Sequence, residues 1–235
     1  MERLEDFAGV VSCLKNLPSD VLGAVVVSAP KYLSSIGPVI DRRTVLAAEV
    51  DFLMRKASME APVFEKTSLL VGLSSGQPCV SYLSRKDTEE GIPFARRATF
   101  IRTFVQNLFR FHRQKVFDTL DYHYTNWERR RDPQVIRDAL IELLSDGLYV
   151  APALELSRYH AILPDSAPAY IYTFQSPFGM LSWAAGGWAR GSELAFLLGA
   201  PLVNGVSPYF ASYSPQEKAL AEFGLKYWTN FINFG

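Results

Sequence analysis

Apolar residues recur along this chain with two different periods. Phe7, Val10, Val11 and Leu14 fall at helical spacing and predict an amphipathic helix over 4–16. Pro18-Ser19-Asp20 ends it and opens a shorter helix over 21–26. The run Gly37-Pro38-Val39-Ile40-Asp41 reads as a short strand, 45–56 as a helix, and the apolar run 68–72 as a buried strand. Residues 84–91 are charged and read as a loop. From 93 to 111, Phe94, Phe100, Ile101, Phe104, Val105 and Leu108 lie mainly on one helical face, and another helix is expected over 113–127.

Asp132-Pro133 starts a long helix with buried stripe Val135, Ile136, Ala139, Leu140, Leu143 and Leu144, which Pro152 is expected to kink. Residues 169–174 alternate as a strand does, and 176–189 read as a loop. A short helix begins at Ser192 and ends at Gly199 and Pro201. Ser214 and Pro215 start the last helix, whose aromatic face is Phe223, Tyr227, Trp228 and Phe231. Strands alternating with helices give an α/β class. About three strands among seven or so helices are fewer than a free-standing sheet uses, so the chain reads as one end of a larger domain.

Composition narrows the partners. The 235 residues are 49% hydrophobic with zero formal net charge, which argues against a nucleic-acid partner. The first residues are acidic and form no signal peptide, and the longest apolar run, 21–27, is too short to span a bilayer. Cys13 and Cys79 read as two buried thiols, or as halves of disulfides made outside the chain. His112, His123 and His160 have no carboxylate or thiol at ligand spacing and read as exposed helix histidines, so neither metal nor cofactor is expected. The Arg129-Arg130-Arg131 run reads as a solvated turn beside Glu128 and Asp132.

Several stretches carry a family pattern. Gly191-Ser192-Glu193 through Gly199-Ala200-Pro201-Leu202 resembles the segment of cholinesterases and type B carboxylesterases in which a His precedes the Gly and acts as catalytic base. Cys13-Leu14-Lys15, Gly37 to Asp41, Tyr124-Thr125-Asn126-Trp127 and Tyr227-Trp228-Thr229-Asn230-Phe231 resemble further elements of that family, in family order. Val150-Ala151-Pro152-Ala153 is closer to its non-enzymatic neuroligin-like branch, which includes gliotactin- and neurotactin-like proteins.

The resemblance implies the C-terminal part of an α/β-hydrolase fold. Residues 1–235 then form a partial domain, lacking the N-terminal half with the nucleophile elbow and the final strand and helix. It also makes Cys13 a disulfide half whose partner lies upstream. It places the acid of a Ser-His-Glu triad at Gln77 and the base at Arg190. An amide does not stabilise an imidazolium as a carboxylate does, and an arginine stays protonated. Gly72-Leu73-Ser74-Ser75-Gly76 matches the Gly-x-Ser-x-Gly pentapeptide, but the residues after it show little helical patterning, so Ser74 is not expected to be a nucleophile.

The implied function is therefore non-catalytic: adhesion or recognition at the cell membrane, on its extracellular side, through a cell-surface protein partner. Asp87, Glu89 and Glu90 are the candidate partner-binding loop. The resemblance also implies a homodimer built on helices, one of them in the region 91–124, with some of Phe94, Phe100, Phe104 and Leu108 left uncovered or, equally, packed inward. An ester-hydrolysing relative is the alternative.

Overall fold

The computed structural model describes residues 7–37, 62–74, 77–163, 165–174, 192–203 and 213–235. The expected strand at 37–41, the helix over 45–56 and the loop at 176–189 lie outside the described residues, apart from Gly37. In chain order the elements are α1 (Phe7–Asn16), α2 (Ser19–Gly23), α3 (Pro62–Lys66), β1 (Leu69–Ser74), α4 (Gln77–Val80), α5 (Arg85–Glu90), α6 (Phe94–Leu108) and α7 (Arg113–His123). There follow α8 (Pro133–Ser145), a π-helical turn (Asp146–Val150), α9 (Ala151–Ala161), β2 (Ala169–Phe174), α10 (Ser192–Leu197), a 3-10 turn (Ala200–Leu202) and α11 (Pro215–Phe234).

The two expected strands in the described residues pair with each other. β1 and β2 are parallel, in register from Leu69 opposite Ala169 to Ser74 opposite Phe174. Parallel neighbours need a long crossover, and here it is everything from α4 to α9. Strand alternation puts Tyr170, Tyr172 and Phe174 on one face. That face meets α10 and α11 through edge contacts of Tyr170 with Phe231 (6.0 Å between centroids) and Tyr172 with Trp228 (6.2 Å), and through tilted Phe174 and Phe196 (5.4 Å). α11 begins as its sequence predicts. The Ser214 hydroxyl accepts from Glu217 N–H, and the Glu217 carboxylate accepts from Ser214 N–H at 2.7 Å, a reciprocal capping box with Pro215 in the first turn.

The main core lies inside the crossover. Phe100, Ile101, Phe104 and Val105 of α6 pack with Ile136, Leu140, Leu143 and Leu144 of α8, and Cys79 of α4 is fully buried beside them. Phe100 and Phe104 thus take the inward alternative, while Phe94 stays largely exposed. Asp132 caps α8 by accepting from the N–H groups of Gln134 and Val135, as expected of Asp before Pro. Two glycines let helices approach closely. Gly91, at φ +87°, crosses the start of α8 where a Cβ would stand 2.4 Å from the Pro133 carbonyl carbon. At Gly147 a Cβ would stand 2.4 Å from Cζ of Phe104.

Four expectations need correction. Residues Arg85–Glu90 are helix, not loop, because the Ser84 hydroxyl accepts from Asp87 N–H and starts a turn. A helical turn, Gln77–Val80, does follow β1, with Pro78 in its first positions, where a missing donor costs nothing. The long helix is interrupted ahead of Pro152 rather than at it, by the π-helical turn Asp146–Val150. Proline has no N–H for the α ladder, and widening that turn absorbs the mismatch. Cys13 is exposed on α1, not buried.

A sheet of two strands, as the described residues form, is marginal as an independent unit. Val26, Ile232 and Phe234 add exposed apolar surface, each more than 70% accessible. The isolated 235-residue chain is accordingly expected to bind hydrophobic dyes and to melt without a sharp transition. A cooperative calorimetric melt of the monomer would contradict this.

Candidate functional site

In open parallel sheets ligands collect at the carboxyl ends of the strands. At that end of β1 and β2 the structure forms a pocket of about 210 Å³, lined among others by Gly72, Ser74, Tyr172, Glu193, Leu197 and Trp228. Ser74 ends β1, Tyr172 comes from β2, Glu193 from the first turn of α10 and Trp228 from α11. The pocket thus holds a hydroxyl, a phenol and a carboxylate. Burial pushes the Tyr172 phenol above its ordinary pKa, and the Glu193 charge adds to the rise, so the group is a neutral donor at neutral pH. A larger apolar cleft of about 660 Å³ continues between β2 and α11, walled by Leu70, Phe174, Leu220, Phe223, Trp228 and Phe231.

An acyl-transfer site needs an imidazole within hydrogen-bond reach of its nucleophile. None of the three histidines supplies one to Ser74. His112 and His123 are exposed at the two ends of α7, as expected. His160, expected exposed, is completely buried: its ring stands edge-on to Phe64 at 5.0 Å, and its Nε2–H donates to the Thr67 carbonyl at 3.0 Å. Thr67 precedes β1 and Ser74 closes it, a span of roughly 20 Å of extended chain. His160 is a structural residue at the opposite end of the strand. Its burial was hidden in the sequence because α9 carries only a weak apolar stripe.

Ser74 also lacks the backbone of a nucleophile elbow. An elbow serine sits on a sharp, strained strand-to-helix turn. Ser74 is still in strand register with Phe174, and among the described residues only Tyr32 and His112 have positive φ at a non-glycine position. Gln77 opens α4 just beyond, and Arg190 lies outside the described residues. Among the described residues no group of three or more His, Cys, Asp or Glu side chains could hold a metal ion.

The acidic cluster divides. Glu89 and Glu90 are exposed on α5 and face only Arg85 and Lys86 one turn back. Asp87 is 2% exposed and faces inward. Its carboxylate pairs with Arg96, one contact at 3.1 Å and a second closer, and accepts from the Ser84 hydroxyl at 2.7 Å. Burial alone would raise its pKa, but the hydrogen bonds from Arg96 and Ser84 outweigh that and hold it below the ordinary carboxylate value. Asp87 therefore joins α5 to α6 and is not a surface contact. The Ser84-x-x-Asp87 spacing is the sequence signal that could have revealed this helix start.

A family model described as the carboxylesterase family matches residues 3–235. Neuroligin-1 of Caenorhabditis elegans is 28% identical over 239 residues, covering 96% of this chain and 29% of the relative. Neuroligin-2 of Homo sapiens is 28% identical over 236 residues, covering 98% and 27%, and Neuroligin-3 of Mus musculus is 25% identical over 235 residues, covering 98% and 27%. The chain therefore spans less than a third of the length of these curated relatives.

The Asp87 carboxylate gives a pH dependence whose sign is fixed. A carboxyl with a lowered folded pKa contributes stability that is complete above its unfolded pKa, near 3.8, and is lost as pH falls through the folded value. Urea midpoints of the full-length protein should therefore drop between pH 5 and pH 3 (roughly the ordinary Asp range). The drop should be smaller in Asp87→Asn, measured in the same buffers; an equal drop in both proteins would show that Asp87 contributes nothing to it.

Proposed function

Because the chain belongs to the carboxylesterase family, whose fold is the α/β hydrolase, we propose that it is the C-terminal part of a non-catalytic, cholinesterase-like domain acting in cell adhesion or cell-surface recognition. The observation that carries this reading is Arg190 at the position where the family pattern has its base histidine. An arginine does not accept a proton, so a serine has nothing to deprotonate it. Gln77 at the acid position supports the same reading, since an amide leaves a developing imidazolium uncompensated. Likeness to three neuroligins along nearly the whole chain supports the adhesion branch over the enzymes.

In this reading the complete protein works on the extracellular side of the cell membrane, with a protein partner and no nucleic acid. Among the described residues no helix is long and apolar enough to cross a membrane. Recognition is assigned to the exposed carboxylates Glu89 and Glu90, with Asp87 holding their helix in place. The complete domain is proposed to be a homodimer using α6 and α7, whose exposed apolar residues include Phe94 and Tyr122. The second reading, an ester hydrolase, is favoured by one observation: Ser74 and Glu193 line the same pocket.

Three measurements test these readings. The full-length protein is expected to hydrolyse activated acetyl and butyryl esters no faster than buffer, and Arg190→His alone is expected not to restore turnover. Turnover abolished by Ser74→Ala would establish the enzyme reading instead. Phe94→Asp with Tyr122→Asp should shift the full-length ectodomain from dimer to monomer in light scattering. Glu89→Lys with Glu90→Lys should weaken cell aggregation and leave the melting temperature unchanged. A wild-type ectodomain that is monomeric at micromolar concentration, or that aggregates no cells, contradicts the adhesion-dimer reading.

A further inference from the structure

Overall neutrality conceals a strongly one-sided stretch. The chain has 24 basic and 24 acidic residues, yet from Gly91 to Phe117 it carries Arg96, Arg97, Arg102, Arg110, Arg113 and Lys115 with no Asp or Glu. The fold uses two of these cations internally. Arg96 pairs with Asp87, and buried Arg97 pairs with Asp121. The other four are exposed, and among the described residues none has a carboxylate partner. Arg102 lies over the Phe117 ring at 4.4 Å, and Arg113 Nε–H donates to the Phe109 carbonyl at 2.6 Å, which leaves the ends of both guanidinium groups toward solvent.

These cations surround a sharp reversal. α6 ends at Leu108, Phe109 is extended, and His112 takes a left-handed backbone (φ 53°) before α7 starts at Arg113. The four residues between the helices make a convex corner. Phe111 stands on it 78% exposed, with Phe109 at 37% beside it. An exposed aromatic flanked by Arg110 and Arg113, with the first carboxylate of α7 at Asp118 and held by Gln114 at 2.8 Å, has the composition of the energetic centre of a protein interface, where aromatic residues and Arg are enriched and Asp and Glu depleted.

We propose that the α6–α7 corner is a docking knob for an acidic protein partner: Phe111 enters an apolar pocket of that partner, and Arg110 and Arg113 meet carboxylates at its rim. Charge complementarity sets the sign of the partner, because four unpaired cations attract a negative surface and repel a positive one. The exposed ring selects a protein over other polyanions. A sulfated polysaccharide would engage the guanidinium groups and leave Phe111 in water. A bilayer would ask for a wide apolar face, whereas Gln106, Arg110, Arg113 and Gln114 around the ring are polar and exposed. The inference is independent of Glu89 and Glu90, which carry the opposite charge, and of the catalytic status of the domain.

The test uses the full-length protein, immobilised, at physiological salt. Four probes are compared: a random glutamate–tyrosine copolymer, polyglutamate, heparin, and phosphatidylserine vesicles. The copolymer should bind about tenfold more tightly than polyglutamate. Phe111→Ala should erase that difference and leave the weak polyglutamate binding intact. Arg110→Glu with Arg113→Glu should abolish binding of both. Thermal melting and the mass from light scattering should stay as in the wild type, and if the double variant does not fold, Arg110→Gln should weaken copolymer binding severalfold in its place. The proposal is overturned if copolymer and polyglutamate bind equally, if Phe111→Ala changes nothing, or if heparin or the vesicles are retained more strongly than the copolymer. Protection of Arg110 and Arg113 from phenylglyoxal in the full-length protein would overturn it as well, since the corner would then be covered.

Discussion

The register of the β1–β2 pair is the constraint on which the rest of the chain depends, and it is fixed at the entry to the strands. There the two segments are tied several times over. Ala167 N–H donates to the Glu65 carbonyl at 2.8 Å, and Leu69 N–H donates to the Pro168 carbonyl at 2.9 Å. The buried Glu65 carboxylate accepts from Asp165 N–H, and His160 donates to the Thr67 carbonyl. A slip of one residue would turn Tyr170, Tyr172 and Phe174 away from α10 and α11 and expose the opposite row in their place. The two strands lie far apart in sequence, so closing them requires the intervening helices to fold around Phe104 and Leu140 first or together. Buried polar groups at this junction therefore specify which arrangement forms, while the apolar core supplies the driving force.

Much of this was legible in the sequence because it follows from period and punctuation. The α6 and α8 stripes, the alternation of 169–174, Asp132-Pro133 and Ser214-Pro215 are local signals, and local chemistry enforces them. What escaped has a common cause. α5 has no apolar face, so only its cap announces it, and hydropathy reports a charged loop. The burial of His160 comes from Phe64 and Thr67, nearly a hundred residues away. The π-helical turn is a one-residue adjustment ahead of Pro152, which a pattern average cannot register. α7 stops four residues before the expected Trp127, where the Tyr124 hydroxyl reaches Asp146 on that same turn. Of the candidate site, the strand ends and Glu193 could be anticipated, but the enclosure of Ser74 with Tyr172 and Trp228 depends on α11 crossing the sheet.

Charge follows a similar division between internal use and display. Asp87–Arg96 joins α5 to α6, Arg97–Asp121 joins α6 to α7, and Tyr124–Asp146 joins the end of α7 to the π-helical turn. The first two bridges link consecutive elements of the helical crossover and the third spans α8, and each has a partly or fully buried member, where removing one partner costs more than the pair contributes. The exposed pairs Arg85–Glu89 and Lys86–Glu90 are screened by solvent and contribute little. A neutral total thus says little about the surface. Carboxylates are spent inside the crossover, and the cations left over accumulate at its α6–α7 corner.

The two ends of the strand pair carry different burdens, and this bears on which positions the fold leaves open to substitution. The N-terminal ends hold the register through Glu65, Thr67 and His160, where substitution would disturb strand pairing itself. The C-terminal ends open onto α4 and α10, which carry or adjoin the positions of Gln77 and Arg190. Among the described residues, the pairing of β1 with β2 ends at Ser74 and Phe174 and does not pass through Gln77. A glutamine or arginine there is tolerated by the fold for the reason that catalytic residues are placed on connections in the first place: the scaffold does not need them. Under the proposed non-catalytic reading, loss of acid and base would cost the strand pairing little, whereas loss of the junction at the other end would disrupt it. On the proposed reading, a domain relieved of catalysis would keep its sheet and core, and its surface would be what adhesion uses.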